Sequence, residues 1–214
     1  FLTHRPENEK KDYDDEIRGL GGKIYHMPVL NPFSPSYMKS LDRFFKEHKE
    51  YKIVHSHLDC LSAYPLKAAK KNGVPVRIAH SHNTSQEKNL KYLIKDYSKK
   101  QIPKYATHLF ACGKEAGKWM FGKHKFQIMN NAIDAKKFIY NEEVRKQKRV
   151  ELGVEDKFVI GHVGRFNLQK NHEFLVKRFA DFAKTNEDAI LVLIGNGELQ
   201  EKIKEMAKEY GIET

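Results

Sequence analysis

The sequence predicts an α/β protein built on parallel sheets, and three observations carry that expectation. Short β-prone runs alternate with helical patterns almost without a break, as βαβ units require. Two apolar runs, KFVIGHVG at 157–164 and AILVLIGNG at 189–197, end in glycine and lead directly into helical patterns, as buried parallel strands do. The charge also changes along the chain. Residues 1–140 hold 26 Lys and Arg against 14 Asp and Glu, whereas residues 141–214 hold 13 against 14. The whole net charge of +11 therefore comes from the first part, mostly after Tyr51, and a basic part beside a neutral one predicts two domains.

The elements follow in order. KIYHMPV (23–29) reads as a strand, and YMKSLDRFFKEH after it as a helix. YKIVHSH (51–57) is the next strand; LSAYPLKAAKKNG then forms a helix closed by Gly73, with Pro65 in the first turn where proline is tolerated. VPVRIAHSH (74–82), THLFACG (107–113) and KFQIMNN (125–131) read as three more strands separated by helical stretches. NAIDAKKF (131–138) is polar and without period, and EEVRKQKRVELG returns to helix. The two apolar strands follow, each with its helix, the first being HEFLVKRFADFAK. The boundary is expected near 130–141, giving domains 1–135 and 136–214. Five strands precede it and two follow, so both sheets are expected to be incomplete. FLTHRPENEKKDYDDE reads as the middle of something, and a fragment lacking both ends is expected.

Composition excludes several classes. At 40% hydrophobic and 31% charged, the chain can build a core and remain in water. No apolar run approaches the ~18 residues of a membrane span, and no signal peptide is visible. Cys60 and Cys112 lie far apart without paired spacing, which fits a reducing compartment and argues against a disulfide or zinc framework. The basic excess implies an acidic partner. Basic-aromatic interleaving is absent, so no nucleic acid is expected.

GRFNLQKN, Gly164 to Asn171, is the most pointed stretch. It places Arg165 and Lys170 in the turn between a buried strand and a helix, where α/β proteins bind ligands. Arginine grips phosphate oxygens in a fork, lysine adds a point charge, and the helix start favours an anion. Gly195-Asn196-Gly197 follows the second apolar strand, and its glycines suit either a ligand's approach or a tight turn.

Two histidine pairs, His55 with His57 and His80 with His82, end two strands, and period two puts each pair on one face. With Asp59 nearby they raise a metal site, because imidazole is a common ligand. No carboxylate or cysteine follows at a familiar ligand spacing, and no metal is expected. For His80 and His82, followed by Asn83-Thr84, a polar substrate contact is the other reading. The helical stretch 86–100 places Leu90, Leu93, Ile94 and Tyr97 on one face and Lys88, Lys91, Lys95 and Lys99 on the opposite one. Such a lysine face suits an anionic membrane surface.

Taken together, IVHSH, RIAHSHNTS, LFACGKEAGKWMFG, IMNNAIDAKKF, VGRFNLQKNHEFLVKRFADFAK and AILVLIGNGELQEKIKEMAKEYGI resemble family 4 retaining glycosyltransferases. The likeness is greatest to those of bacterial capsule and exopolysaccharide synthesis. It implies the GT-B fold, two Rossmann-like domains with acceptor bound by the first and nucleotide sugar by the second. Arg165 and Lys170 then contact the donor diphosphate, with Gly164, Asn171, Gly195 and Gly197 lining the nucleotide-sugar site. His82 matches the histidine near the transferred sugar, although His80 takes that place in a shifted alignment. Asn131-Ala132-Ile133-Asp134 matches the inter-domain link with Ala for Gly, and Gly113 stands where the family often has Ser. The family's glycine-rich loop would precede Phe1 and its paired glutamates would follow Thr214, so the chain alone is expected to be inactive.

The implied activity is transfer from a nucleoside-diphosphate sugar, a UDP-sugar, to a hydroxyl of a lipid-linked saccharide. It needs no cofactor and no metal, and it takes place in the cytoplasm, peripherally at the inner face of the plasma membrane. A histidine-site metal-dependent hydrolase and a non-catalytic basic membrane-surface-binding module are the alternatives.

Overall fold

A two-residue strand, β1 (Leu2–Thr3), pairs in parallel with β2 (Tyr25–His26) and starts the chain. The computed structural model describes residues 1–9, 11–86 and 92–213. The chain divides into two compact units, Phe1–Ile133 and Asp134–Thr214. Between β1 and β2 lies α1 (Asp14–Gly19), whose first turn carries Asp14, Asp15 and Glu16 at the positive end of the helix. Neither β1 nor α1 is foreseen from the sequence. A two-residue strand has no period to read, and six residues with a single large apolar side chain, Ile17, give no stripe.

In α2 (Pro35–Glu47), Pro35 begins the helix and the Tyr37 N–H donates to Ser34 Oγ at 3.3 Å. Tyr37, Leu41 and Phe45, four apart, form its buried face and pack on Ala68 and Ala69 of α3 (Ala63–Lys71). A 3₁₀ turn over Asp59–Ser62 precedes α3, and Gly73 at φ 78° follows it. The main sheet of this unit runs β3 (Ile53–Ser56), β4 (Val76–Ser81), β5 (His108–Ala111), β6 (Gln127–Ile128), all parallel. Leu66, Ala79, Ile102, Ala111 and Met120 join the strands to α3, α4 (Tyr92–Tyr105) and α5 (Lys114–Phe121) in one core. Leu66 is fully buried, which stabilises the fold by roughly 1.5–3 kcal/mol.

The apolar face expected for residues 86–100 is not the buried one. Lys88, Leu90 and Lys91 lie outside the described residues. Within α4, Leu93 is 77% and Tyr97 64% exposed, while Ser98 and Ile102 are buried. Ser98 accounts for the rotation. Its hydroxyl donates to the Ile94 carbonyl at 2.7 Å and lies 2.9 Å from the Tyr64 hydroxyl, so a small polar residue sits inside with its bonding satisfied. Lys95 is half-buried, and only 17% of the Lys99 side chain is exposed. The Lys99 ammonium lies 4.9 Å from the Trp119 ring centroid and 3.5 Å from Asp96.

The second unit opens with a 3₁₀ turn over Ala135–Phe138 and α6 (Glu142–Glu151), capped by Asn141, whose Oδ1 accepts the Val144 N–H at 3.0 Å. β7 (Phe158–Val163) and β8 (Ala189–Ile194) pair in parallel along their full length, from Phe158 opposite Ala189 to Val163 opposite Ile194. Parallel strands need a crossover, and α7 (His172–Ala183) supplies it. α7 and α8 (Gln200–Glu209) pack together through Phe166, Val176 and Ile203.

Candidate functional site

Because β7 and β8 stop in register, the turns that follow them meet. The Gly164 N–H donates to the Ile194 carbonyl at 2.9 Å, and the Phe166 N–H to the Asn196 carbonyl at 3.0 Å. The Leu199 N–H returns to the Phe166 carbonyl at 3.1 Å. Gly195 holds φ 151°, and a Cβ on it would fall 2.1 Å from the Gly164 oxygen; one on Gly197 would fall 2.3 Å from the Phe166 oxygen. Both glycines therefore serve the apposition of two main chains. A turn-forming role alone would not demand this.

Arg165 and Lys170 ride on that base. The Arg165 side chain is exposed, with Nε 3.8 Å from Glu198 Oε2 on the facing turn. An exposed pair at this distance contributes little and leaves the guanidinium available. Lys170 ends a 3₁₀ turn, Leu168–Lys170, where its N–H is shared by the Asn167 carbonyl and Oδ1, each at 3.2 Å. Its stem crosses Gly164, since a Cβ there would lie 3.2 Å from Lys170 Cδ. Asn171 takes a left-handed conformation, φ 50° and ψ 47°, and turns the chain into α7 without a side-chain cap. Two cations and an uncapped helix start thus share one turn, a setting that suits an anion.

Beneath the turn lie two residues that the sequence reading did not single out. Phe166 stacks on His172 with centroids 4.3 Å apart and planes at 11°, and His162 meets His172 edge-on at 4.9 Å. His172 is 1% exposed, and among the described residues neither of its ring nitrogens has a hydrogen-bond partner; His162 Nε2 has none there either. Burial, then the neighbouring His162 and Lys170, push the His172 proton affinity down and favour the neutral ring. The two histidines bracket GRFNLQKN at its ends, which was the signal available.

In the first unit, β3 and β4 lie side by side with His55 opposite Ile78 and Ser56 opposite Ala79. This register brings both histidine pairs to one end of the sheet. His55 Nε2 and His80 Nδ1 are 3.2 Å apart, and His57 Nδ1 and His82 Nε2 2.8 Å apart. The rings also neighbour each other within each pair, at 4.2 Å for His55 with His57 and 4.3 Å for His80 with His82. Burial and the neighbouring imidazoles hold His55, His57 and His80 below the usual histidine range. Asp59 holds a positive φ of 47°, and its carboxylate accepts a hydrogen bond from the Asn83 side chain. Gly113 precedes α5 in an extended conformation and has no side chain to cap it.

The turn that carries Arg165 and Lys170 lies within the stretch that matches a known family. Residues 143–214 match the family model Glycosyl transferases group 1. The chain is also 34% identical to the Bacillus subtilis (strain 168) protein named "Putative glycosyltransferase EpsF", over 99% of this chain and 57% of that protein. A segment making up 43% of the chain is 31% identical to an uncharacterized glycosyltransferase of Methanocaldococcus jannaschii, covering 23% of that protein. A segment making up 42% of the chain is 30% identical to 22% of a Campylobacter jejuni enzyme named N-acetylgalactosamine-N,N'-diacetylbacillosaminyl-diphospho-undecaprenol 4-alpha-N-acetylgalactosaminyltransferase. Among solved structures, the Anabaena HepE complex with UDP and glucose superposes with a TM-score of 0.77, at 14% identity, over 96% of this chain and 58% of that one. The fold is α/β of the GT-B type. The chain spans a little over half the length of EpsF. The glycosyltransferase match does not favour either alternative, the hydrolase or the binding module.

Proposed function

We propose that this chain is part of a retaining glycosyltransferase that moves a sugar from a UDP-sugar to a hydroxyl of a lipid-linked saccharide in cell-surface polysaccharide synthesis. The observation that carries the proposal is the Gly164–Asn171 turn, which sets two cations and a helix start beside the glycine turn of the adjacent parallel strand. The HepE structure is described with UDP and glucose, and the Campylobacter enzyme's name specifies a diphospho-undecaprenol acceptor. Both support the substrate classes.

In the reaction, the bond between the sugar's anomeric carbon and the β-phosphate oxygen breaks, and its electron pair stays with the departing UDP. The acceptor oxygen bonds to that carbon on the same face and gives its proton to the departing phosphate oxygen. Negative charge grows on the diphosphate, so aligned cations accelerate the step. Arg165 and Lys170 fill that role, with Gly164, Asn171, Gly195 and Gly197 shaping the nucleotide-sugar site. No metal at the diphosphate is needed. His82, with His80 as its alternate, lines the position of the transferred sugar.

The basic first unit suits an anionic surface such as the inner face of the plasma membrane. Of the four lysines expected there, Lys95 is the candidate contact, since Lys99 is engaged by Trp119 and Asp96 and Lys88 and Lys91 lie outside the described residues. No helix among the described residues is long and apolar enough to cross a membrane. The test is release of UDP by the full-length enzyme from a panel of UDP-sugars in the presence of lipid-linked saccharides extracted from membranes. Acceptor-dependent release supports the proposal. Failure of the protein to bind UDP at all would overturn it.

A further inference from the structure

The proposed transfer uses one histidine of the first unit, His82, and leaves His55, His57 and His80 gathered beside it without a role. We infer that His55, His57 and His80 form a binding site for a late first-row divalent cation, zinc foremost, with the fourth position taken by water. The three imidazoles each offer a nitrogen, and these atoms all lie within 4.8 Å of one another. Among the described residues this is the one such group of His, Cys, Asp or Glu.

The geometry is close to what an ion requires. Zinc–nitrogen bonds of about 2.0–2.1 Å in a tetrahedron place ligand atoms about 3.3 Å apart. His55 Nε2 and His80 Nδ1 already stand at 3.2 Å. Two facing imidazole nitrogens must share a single proton, and an ion between them engages both lone pairs instead. His80 also has a main-chain hydrogen bond with Met129, and since its Nδ1 faces His55 Nε2, Nδ1 is the atom His80 offers the ion. His80 itself is 5% exposed, so the strand fixes that ligand, whereas His55 and His57 are exposed and leave a path for entry.

The chemistry narrows the ion. An all-imidazole set suits zinc, copper or nickel and is poor for magnesium or calcium, which take oxygen. The expectation of no metal rests on the lack of carboxylate or thiolate company at ligand spacing. What the adjacent strands provide is a third imidazole, and three histidines with one open position are a known zinc arrangement.

The test is calorimetric titration of the protein with Zn²⁺ alone, after purification without a metal-affinity tag and dialysis against chelator. Co²⁺ serves as a second probe whose visible absorption reports tetrahedral nitrogen coordination. His55→Ala and His57→Ala truncate exposed side chains and spare the core, with circular dichroism checking the fold. The expected result is one saturable equivalent, weakened in each variant by at least the roughly 10–100-fold that losing even an outer-shell partner costs. Zn²⁺ should also raise the Tm of the wild-type protein and not that of either variant. No saturable binding, or equal binding by both variants and the wild type, would overturn the assignment.

Discussion

Gly195 lies against the carbonyl of Gly164 so closely that a side chain on it would fall 2.1 Å from that oxygen. The two turns that flank the proposed anion site are thereby locked to each other through the main chain. Gly195→Ala should destabilise the protein by about 1–3 kcal/mol, since both the clash and the φ of 151° oppose a Cβ. UDP affinity should fall with it, because Arg165 is carried by the displaced turn. Denaturant unfolding and a UDP titration read the two effects. An unchanged midpoint and an unchanged affinity would show that the apposition does not constrain the site.

The pair beneath the turn predicts a pH effect. His172 is held neutral by burial, by His162 and by Lys170, so its folded proton affinity lies below the ordinary value of 6.5. The unfolded chain takes up that proton more readily. Its contribution to stability is therefore complete above 6.5 and is lost as pH falls below it, towards the folded value. His172→Phe keeps the stacking on Phe166 and removes two unpartnered nitrogens. The variant should lose less stability than the wild type between about pH 7 and 5, a window set by imidazole titration. Equal slopes in both proteins would remove His172 from the account.

The four lysines that the sequence sets on one helical face predict that the full-length protein binds anionic vesicles. Each lysine near such a surface contributes about 1 kcal/mol, and the effect fades with salt. Replacing Lys88, Lys91, Lys95 and Lys99 with glutamine should weaken vesicle binding measured by co-sedimentation. Lys99→Gln alone should matter least for binding, because its ammonium already rests on Trp119 and beside Asp96. Unchanged binding after all four replacements would leave the surface role without support.

The α/β class was legible because long elements carry their own period: the apolar runs before Gly164 and Gly195 became β7 and β8, and HEFLVKRFADFA became α7 in full. Where period is short or misleading, the reading failed. β1 has two residues, and the buried face of α4 is set by Ser98, a polar residue whose hydroxyl is satisfied internally. Arg165 and Lys170 were visible as cations in a strand-to-helix turn. His162 and His172 were not, because burial of a polar ring depends on Phe166 folding over it. Each histidine pair could be put on one face from spacing alone. That the two pairs meet depends on β3 and β4 being neighbours in a particular register, which is a property of the sheet.

The most direct test of the account is the turnover of Arg165→Ala and Lys170→Ala in the full-length enzyme, in transfer from a UDP-sugar to a lipid-linked acceptor. Both residues are exposed on a turn, so truncation opens no core cavity and the fold should persist. Each variant should lose about 3 kcal/mol of transition-state stabilisation, on the order of a hundredfold in kcat, with weaker donor binding as the smaller effect. Lys170→Arg should rescue only partly, since a planar fork and a point charge reach differently. Near-normal kcat in both alanine variants would contradict the account and return Arg165 and Lys170 to ordinary solvated charges.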